Sequence, residues 1–189
     1  MSLPPEASDA ELAGRALEGE QRAFSLLMSR HKAATYRFIR RYGVEAEEAY
    51  DLVQQTFVSA WAALRRYDPR RPFTAWLRAI ALNKCRDWSR RAAVRRFLFS
   101  AVPLESPAAG SAPDPDPGAE SHAIERQRQD ALATAIAALP KGLKEPLLLT
   151  VLDGFSHKET ARLLGLTPKA VENRVARARN QLTRALSDR

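Results

Sequence analysis

The sequence predicts an all-α protein that consists of two small helical domains joined by a flexible linker. Apolar residues recur at spacings of three and four through most of the chain, as in amphipathic helices, and no segment shows the period of two that marks a strand. Residues 101–122 differ, because they hold five of the twelve prolines and have no apolar period. Such a segment buries too little apolar surface to fold, so the predicted domains are residues 1–100 and 123–189.

The chain is basic, and its charge is unevenly distributed. Thirty Lys and Arg residues against 22 Asp and Glu residues give a net charge of +8. Residues 1–100 carry +7 and residues 123–189 carry +5, while the predicted linker carries −4. Basic surfaces attract polyanions because binding releases condensed counterions, so nucleic acid is a candidate partner. The alternative is a charged, solvated surface that keeps the protein soluble.

Composition also excludes several classes of protein. No apolar run approaches the ~20 residues of a membrane span, and the N-terminus lacks the features of a secretory signal, so we expect no membrane insertion and a cytoplasmic location. The single cysteine, Cys85, excludes an internal disulfide framework and a cysteine-based zinc site, and we expect it to be buried. The three histidines lack ligand spacing. We therefore expect no enzyme activity, no catalytic residue, no metal and no cofactor.

Local signals place the first two helices of the N-terminal domain. Ser8 and Glu11 have the spacing of a capping box, which starts a short helix that ends near Gly19. Apolar residues then follow one helical face over residues 24–42, and Gly43 can close that helix in a left-handed conformation.

Two more helices are predicted in this domain, at residues 46–66 and 74–95. Trp61 is expected on the inner face of the first of them. Residues 67–72 form a loop between the two helices, because two prolines flank paired arginines there.

The C-terminal domain is predicted to begin with an alanine-rich helix at residues 123–139, which Pro140 stops. A second helix is predicted at residues 144–152, ended by Gly154. Two short helices with clear start signals follow.

These last two helices have the pattern of a helix-turn-helix. Ser156 and Glu159 form a capping box, and Thr167 is an N-cap before Pro168 at the first helical position. Between the helices, Gly165 permits a tight turn. Short helices joined in this way are typical of duplex DNA readers.

The last helix carries an apolar stripe on one side and Asn and Arg residues on the other. Arg can donate two hydrogen bonds to guanine, and Asn can pair with adenine through two. We expect contacts to base edges from Lys169, Asn173 and Arg177. We expect phosphate contacts from Arg174, Arg179 and the backbone amides after Thr167. The alternative is a basic, solvated helix that packs on its neighbours.

Two features of the N-terminal domain also suggest contacts with partners. The third helix has a polar side formed by Asp51, Gln54, Gln55 and Ser59, which is either a solvated face or a docking site for a partner helix. Aromatic and basic residues then alternate around the predicted loop, as single-stranded DNA binding requires. The candidate residues are Arg70, Arg71, Phe73, Trp76, Arg78, Asn83, Lys84 and Arg86. The alternative is that the aromatic side chains are core and the arginines solubilise the domain.

Three segments resemble a known family, the extracytoplasmic-function (ECF) sigma factors of bacterial RNA polymerase. Residues 51–61 (DLVQQTFVSAW) resemble the polymerase-docking helix of the family, and residues 73–81 (FTAWLRAIA) resemble the start of its minus-ten helix. Residues 139–179 resemble its minus-thirty-five domain. The order of these segments, with a proline-rich linker between two helical domains, is specific to the family.

The resemblance implies a sigma factor that binds core RNA polymerase and directs transcription from promoter DNA. Asp51, Gln54, Gln55 and Ser59 would dock on the polymerase. Residues 68–73 and the helix after them would capture bases of the melted minus-ten element, and the C-terminal domain would read the minus-thirty-five element as a duplex.

The resemblance further implies control by an anti-sigma factor in a stress response. Gln55 departs from the family pattern, because relatives more often carry Glu there. The minus-ten region lacks the dense aromatic cluster of primary sigma factors, which predicts stringent promoter choice. A stand-alone helix-turn-helix regulator is the alternative function, but it leaves residues 1–100 unexplained.

Overall fold

The computed structural model describes residues 7–99 and 119–187. Both ranges are predominantly helical and contain no strand. The N-terminal domain contains α1 (Asp9–Leu17), α2 (Gln21–Tyr42), α3 (Ala46–Ala63), a 3₁₀ turn (Leu64–Arg66) and α4 (Phe73–Phe99). The C-terminal domain contains α5 (Ala119–Ala138), α6 (Lys141–Leu147), a π-helical turn (Leu148–Leu152), α7 (His157–Leu164) and α8 (Pro168–Ser187). The predicted all-α class is confirmed, while most of the predicted linker lies outside the described residues.

Three helix boundaries differ from those expected. α5 begins at Ala119, inside the predicted linker, because no proline or glycine follows Gly118 until Pro140. α4 continues to Phe99 for the same reason, since nothing in its sequence breaks the helix. α3 ends at Ala63, where the chain tightens into the 3₁₀ turn before the loop.

Local capping sets the boundaries of α1 and α2. The Ser8 hydroxyl oxygen accepts a hydrogen bond from the Glu11 backbone N–H at 3.2 Å, and the Glu11 carboxylate accepts one from the Ser8 N–H at 2.7 Å. Gly43 closes α2 with a φ of +105°, a left-handed conformation that favours glycine because it has no Cβ. The predicted caps of these two helices are confirmed.

α2, α3 and α4 pack around a shared apolar core. The buried side chains include Leu27, Phe38 and Ile39 of α2, Val53 and Phe57 of α3, and Leu77, Leu82 and Cys85 of α4. Burial of one such large side chain contributes roughly 1.5–3 kcal/mol. The expected inward position of Trp61 is wrong: it is 44% exposed, because Ala60 and Leu64 take the inward positions. Its ring packs edge-on against Phe24 at a centroid distance of 4.8 Å.

Pro146 changes the winding of the segment that follows α5. Proline has no backbone N–H, so the helical hydrogen bond from residue 146 back to residue 142 is missing inside α6. Directly after α6, residues Leu148–Leu152 wind as a π-helix. The helix expected at residues 144–152 therefore starts earlier, at Lys141, and changes its geometry halfway. Asp153 caps the wider turn and leads into Gly154, which has a φ of +76°.

α7 and α8 form the predicted helix-turn-helix. The Ser156 hydroxyl accepts a hydrogen bond from the Glu159 N–H at 3.2 Å, and the Glu159 carboxylate accepts one from the Ser156 N–H at 2.8 Å. Gly165 makes the turn with a φ of +67°. The Thr167 hydroxyl then accepts a hydrogen bond from the Ala170 N–H at 3.1 Å and caps α8. The start signals predicted for both helices are confirmed.

The two domains also contact each other, which the sequence did not predict. α2 packs against α5 and the π-helical turn, and α4 approaches α7. Gly43 lies so close to α5 that a Cβ placed on it would be 3.0 Å from the Ala137 Cβ. The buried apolar side chains of both domains form one cluster. The relative position of the domains therefore decides which of the candidate site residues reach solvent.

Candidate nucleic-acid and protein interfaces

The outer face of α8 is open to solvent. Its apolar stripe points inward, while the side chains of Lys169, Asn173 and Arg177 are exposed. The Lys169 ammonium lies 3.0 Å from the Glu172 carboxylate, and both side chains are more than half exposed. An exposed pair of this kind contributes at most about 1 kcal/mol, so the Lys169 ammonium can leave it for another partner at little cost.

The side chains expected to hold phosphates lie at the edges of this face. Arg179 is exposed, whereas Arg174 is half-buried, with its guanidinium over the start of α6 beside Gly142. Thr167 is exposed at the N-terminus of α8, where the first backbone N–H groups are available to an anion.

The loop before α4 is held rigid by its own hydrogen bonds. Asp68 accepts hydrogen bonds from the backbone N–H groups of Arg70, through its carboxylate, and Arg71, through its carbonyl, both at 3.0 Å. The Tyr67 hydroxyl donates to the Arg71 carbonyl at 2.8 Å. Both arginine side chains point outward, and Arg71 is only loosely paired with Asp68, at 3.7 Å. The loop therefore presents two cations on a pre-organised backbone.

Phe73 is a core residue in this structure. It is 2% exposed, with the rings of Tyr67, Trp76 and His31 at centroid distances of 5.4, 5.4 and 5.2 Å. His31 is itself held by the Asp9 carboxylate at 2.6 Å. The expectation that Phe73 contacts DNA is therefore not met in this conformation, because the first turn of α4 directs this ring into the domain.

Trp76 reaches the surface of a cleft between the domains. The cleft has a volume of about 330 Å³. Arg70, Arg71 and Trp76 line it on one side, and Glu159 and Arg162 of α7 line it on the other. The loop arginines and one aromatic ring are thus brought together as expected, but they face α7.

Arg78 and Arg86 are not free for DNA in this structure, contrary to expectation. The Arg78 guanidinium donates to Asp153 at 3.2 Å, with a second contact of 2.6 Å, and both side chains are 10% exposed. Arg86 binds the Glu145 carboxylate through two hydrogen bonds of 2.9 and 2.6 Å. Both arginines are turned toward the C-terminal domain because its carboxylates lie opposite them.

The two ion pairs differ in their electrostatics. Burial lowers the pKa of Arg78 and raises the pKa of Asp153, although the charge of each partner offsets part of the shift. The hydrogen bonds to Glu145 instead raise the pKa of Arg86. The first pair is therefore held against a desolvation penalty, whereas the second gains from its two-point geometry.

The polar side of α3 is exposed. Asp51, Gln54 and Gln55 face solvent, Ser59 is half-buried, and the apolar Val58 among them is 68% exposed. An exposed apolar side chain surrounded by polar groups is the composition of a protein-binding surface.

The remaining two candidates of α4 lie on different surfaces. Asn83 is exposed and accepts a hydrogen bond from Arg86 at 3.4 Å. Lys84 lines a shallow groove of about 280 Å³ together with Asp51, Gln55 and Ser59. The structure therefore places Lys84 beside the polar side of α3.

Sequence reasoning missed the acidic partners of α4. Glu145 and Asp153 are eight residues apart, as are Arg78 and Arg86, and this equal spacing was the available signal. This equal spacing indicates ion pairing only once α4 and the segment from residue 145 to residue 153 are known to lie side by side. Glu145 also accepts a hydrogen bond from the Tyr42 hydroxyl at 3.1 Å.

Other features of the described residues carry no candidate site. Cys85 is fully buried, as expected, and burial raises its pKa to about 12, so the thiol is held in its unreactive form. In the described ranges, no group of three or more His, Cys, Asp or Glu residues is placed to hold a metal ion. None of the helices described is long and apolar enough to cross a membrane.

Two family models match the chain in the same order as the two domains. Sigma-70 region 2 matches residues 27–95, which cover most of α2, α3 and α4. Sigma-70 region 4 matches residues 129–182, which include the helix-turn-helix.

The chain is similar over nearly its whole length to characterised sigma factors. It is 43% identical to RNA polymerase sigma factor CnrH of Cupriavidus metallidurans, over 97% of both chains. It is 40% identical to RNA polymerase sigma factor NccH of Alcaligenes xylosoxydans xylosoxydans, over 94% of both chains.

Two solved structures have similar folds. CnrH in complex with the cytosolic domain of CnrY superposes with a TM-score of 0.69 and 36% identity, over 96% of this chain and 99% of that one. The sigma factor RpoE in complex with the anti-sigma factor NepR from Bartonella quintana superposes with a TM-score of 0.67 and 25% identity, over 87% of this chain and 96% of that one.

Proposed function

The chain belongs to the ECF sigma factors of bacterial RNA polymerase, and from this premise we propose that it carries core polymerase to promoters through three separate surfaces. As a sigma factor it is a regulator of transcription initiation and not an enzyme.

The minus-thirty-five element would be read by α8. The exposed Lys169, Asn173 and Arg177 would contact base edges in the major groove, and Arg179 with the N-terminus of α8 would hold phosphates. The capped geometry of the helix-turn-helix supports this assignment, because it holds the recognition helix rigidly before any DNA is present.

The melted minus-ten element would be bound by the loop before α4 and by α4 itself. Arg70 and Arg71 offer phosphate contacts, and Trp76 offers a ring for stacking. Phe73 would act indirectly by supporting Trp76. Arg78 and Arg86 would join this surface only after their partners in the C-terminal domain have moved away.

Core polymerase would dock on the polar side of α3. Asp51, Gln54, Gln55 and Ser59 form this surface, and the exposed Val58 adds an apolar contact at its centre. Lys84 lies beside the same surface, so we assign it to polymerase docking as well as to minus-ten binding.

The activity would be controlled by an anti-sigma factor in the cytoplasm. The relatives CnrH and RpoE were solved in complex with the cytosolic domain of CnrY and with the anti-sigma factor NepR, respectively. The open cleft between the loop arginines and α7 is a surface that an acidic partner segment would fit.

One observation carries the proposal: both sigma regions occur in order on one chain, and each presents a polar or basic face to solvent. Reconstitution tests it. Core polymerase with the purified protein should produce a specific transcript from a cognate promoter, and core polymerase alone should not. The double variant Gln54→Ala/Gln55→Ala should lose polymerase binding, while Arg184→Ala, at the far end of α8, should retain it.

A different outcome would favour the stand-alone regulator. In that case the purified protein binds promoter duplex tightly without polymerase, and transcription with core polymerase stays at background.

A further inference from the structure

Two ion pairs join the domains in a matched register. Arg78 and Arg86 of α4 pair with Asp153 and Glu145 in antiparallel order, and each set is separated by eight residues. Eight residues span ~12 Å of an α-helix, so the two pairs lie about two turns apart along α4. Two pairs in register show that α4 and the segment from α6 to the π-helical turn meet as complementary surfaces.

Further contacts complete this interface. The Tyr42 hydroxyl donates to the Glu145 carboxylate at 3.1 Å, and the Lys144 ammonium donates to the Tyr42 carbonyl at 3.1 Å. Lys144 also donates to the Ala137 carbonyl. One ammonium group thus joins the C-terminal turns of α2 and α5, where the helix dipoles favour a cation.

The two ion pairs between the domains are more deeply buried than the ion pairs on the surface of the chain. The side chains of Asp153 and Glu145 are 10% and 5% exposed, compared with 86% for Glu45 and 53% for Glu172 in surface pairs. A buried charge without a partner is strongly disfavoured. The domains can therefore separate only when water or another ligand solvates both the arginine and the carboxylate of each pair.

The net charges of the two domains oppose their contact. Both domains are positively charged over the whole, so they repel each other at long range. Their contact nevertheless sets two carboxylates of the C-terminal domain on two arginines of α4.

We propose that the free protein closes on itself through a latch made of Arg78, Arg86, Glu145 and Asp153, and that this latch masks the inner face of α4 from DNA. The two carboxylates take the places at the guanidinium groups that phosphates would take. DNA and the C-terminal domain compete for the same arginines, so α4 binds the promoter only after the domains separate. Closure stands independently of the proposed function, whereas masking rests on it.

The latch is suited to opening because its net contribution to stability is small. Buried ion pairs lose in desolvation much of what they gain in attraction, so they define register more than they add stability. Polymerase or DNA that supplies replacement contacts for the open form shifts the population toward it.

Charge reversal tests the closure in the full chain, without polymerase or DNA. By small-angle scattering, the wild type should have a radius of gyration near the ~16 Å of a compact chain of 189 residues. Glu145→Arg should expand the chain, because it sets two guanidinium groups against each other. Arg86→Glu/Glu145→Arg should restore the wild-type radius. Equal radii in the wild type and the single variant, or a double variant that stays expanded, would overturn the latch.

A milder pair of variants separates opening from unfolding. Glu145→Gln and Asp153→Asn remove a charge and keep the side-chain shape. If circular dichroism shows that a reversal variant has lost helix, these two decide the question: an expanded chain with wild-type helical content supports the latch, and an unchanged radius overturns it.

Binding of a mixed-sequence single-stranded DNA at fixed low salt tests the masking. If the closed form outnumbers the open form by about ten to one, Glu145→Gln/Asp153→Asn should bind about tenfold more tightly than the wild type. Glu18→Gln/Glu20→Gln changes the net charge equally, away from the latch, and should stay within about twofold of the wild type. Equal affinities of the two double variants would overturn the masking. Because polymerase is absent, this result is distinct from a failed reconstitution.

Discussion

α4 and α8 are both long helices that carry several arginines, but two arginines of each helix are held in opposite states. On α8, Arg177 and Arg179 are exposed on the outer face of the domain. On α4, Arg78 and Arg86 are turned into ion pairs with the C-terminal domain. The same residue type in the same secondary structure thus serves as an open surface in one place and as a contact between domains in the other. The difference lies in what packs against each helix.

A basic composition therefore shows that a helix is positively charged, but not whether its charged side chains are free to bind a partner. α8 packs through a narrow apolar stripe, which leaves the rest of the helix to solvent. α4 is covered on one side by α2 and α3 and approached on another by the C-terminal domain. Substitutions on or next to these helices test this difference.

The largest expected effect is at the start of α4. Phe73→Ala should destabilise the protein by about 3–5 kcal/mol, because it empties a core position surrounded by three rings. Urea unfolding measures the change. Leu98→Ala, at a position 66% exposed, is the control and should change stability by less than about 0.5 kcal/mol. An unchanged free energy of unfolding in Phe73→Ala would contradict the burial of this ring in the core.

A smaller effect, on binding alone, is expected on α8. If Arg177 reads a base as proposed, Arg177→Ala should weaken binding of polymerase holoenzyme to a minus-thirty-five duplex by about 1–3 kcal/mol. The melting temperature should stay unchanged, since the side chain is exposed. Arg184→Ala on the same helix is the matched control. Loss of stability instead of binding would contradict the contrast between the two helices.

The cap of α7 is expected to contribute about 1 kcal/mol to stability. Ser156→Ala removes both the hydroxyl acceptor at the helix start and a hydrogen bond that lowers the pKa of Glu159. Because that pKa is lower in the folded state, the stabilisation is complete above the ordinary value of 4.5 and is lost as the pH falls through the folded value.

Thermal unfolding at neutral and acidic pH measures this effect. The difference between the wild type and Ser156→Ala should shrink in acid. A difference that grows as the pH falls would contradict the assigned hydrogen bonds.

The smallest effect is expected at the surface pair of α8. Glu172→Gln should change stability by less than about 0.5 kcal/mol, because the pair with Lys169 is exposed. Affinity for duplex DNA should rise slightly, since Lys169 loses a competing partner and the chain gains positive charge. A large loss of stability would show that exposed and buried pairs do not differ here as proposed.

Local sequence was sufficient for the helix-turn-helix and failed at the boundary between the domains. The capping residues Ser8, Ser156 and Thr167 were identified because they act on backbone groups two or three positions away. The contact of Arg86 with Glu145 joins residues 59 positions apart, and nothing nearby in the chain marks either one as a partner of the other.

The sequence predicted some residues of the candidate surfaces correctly as exposed and others wrongly. Asn173 and Arg177 are exposed because the apolar stripe of α8 defines the opposite side. Phe73 was assigned to DNA because its neighbours in sequence are basic, but its neighbours in space are aromatic. Periodicity shows which side of a helix is apolar; it does not show how deeply a residue at the helix start is covered by a loop.

Apolar periodicity, capping residues and short sequence segments were enough to predict most helices, their caps, the helix-turn-helix and the family, although three helix boundaries were displaced. Tertiary structure alone decided that Phe73 is core, that Lys84 lies beside the polar side of α3, and that Arg78 and Arg86 face carboxylates. The difference lies in the sequence separation over which each interaction acts. Capping and helical periodicity act within one or two turns of backbone, whereas the partner of a buried charge is chosen by the packing of segments that are distant in the chain.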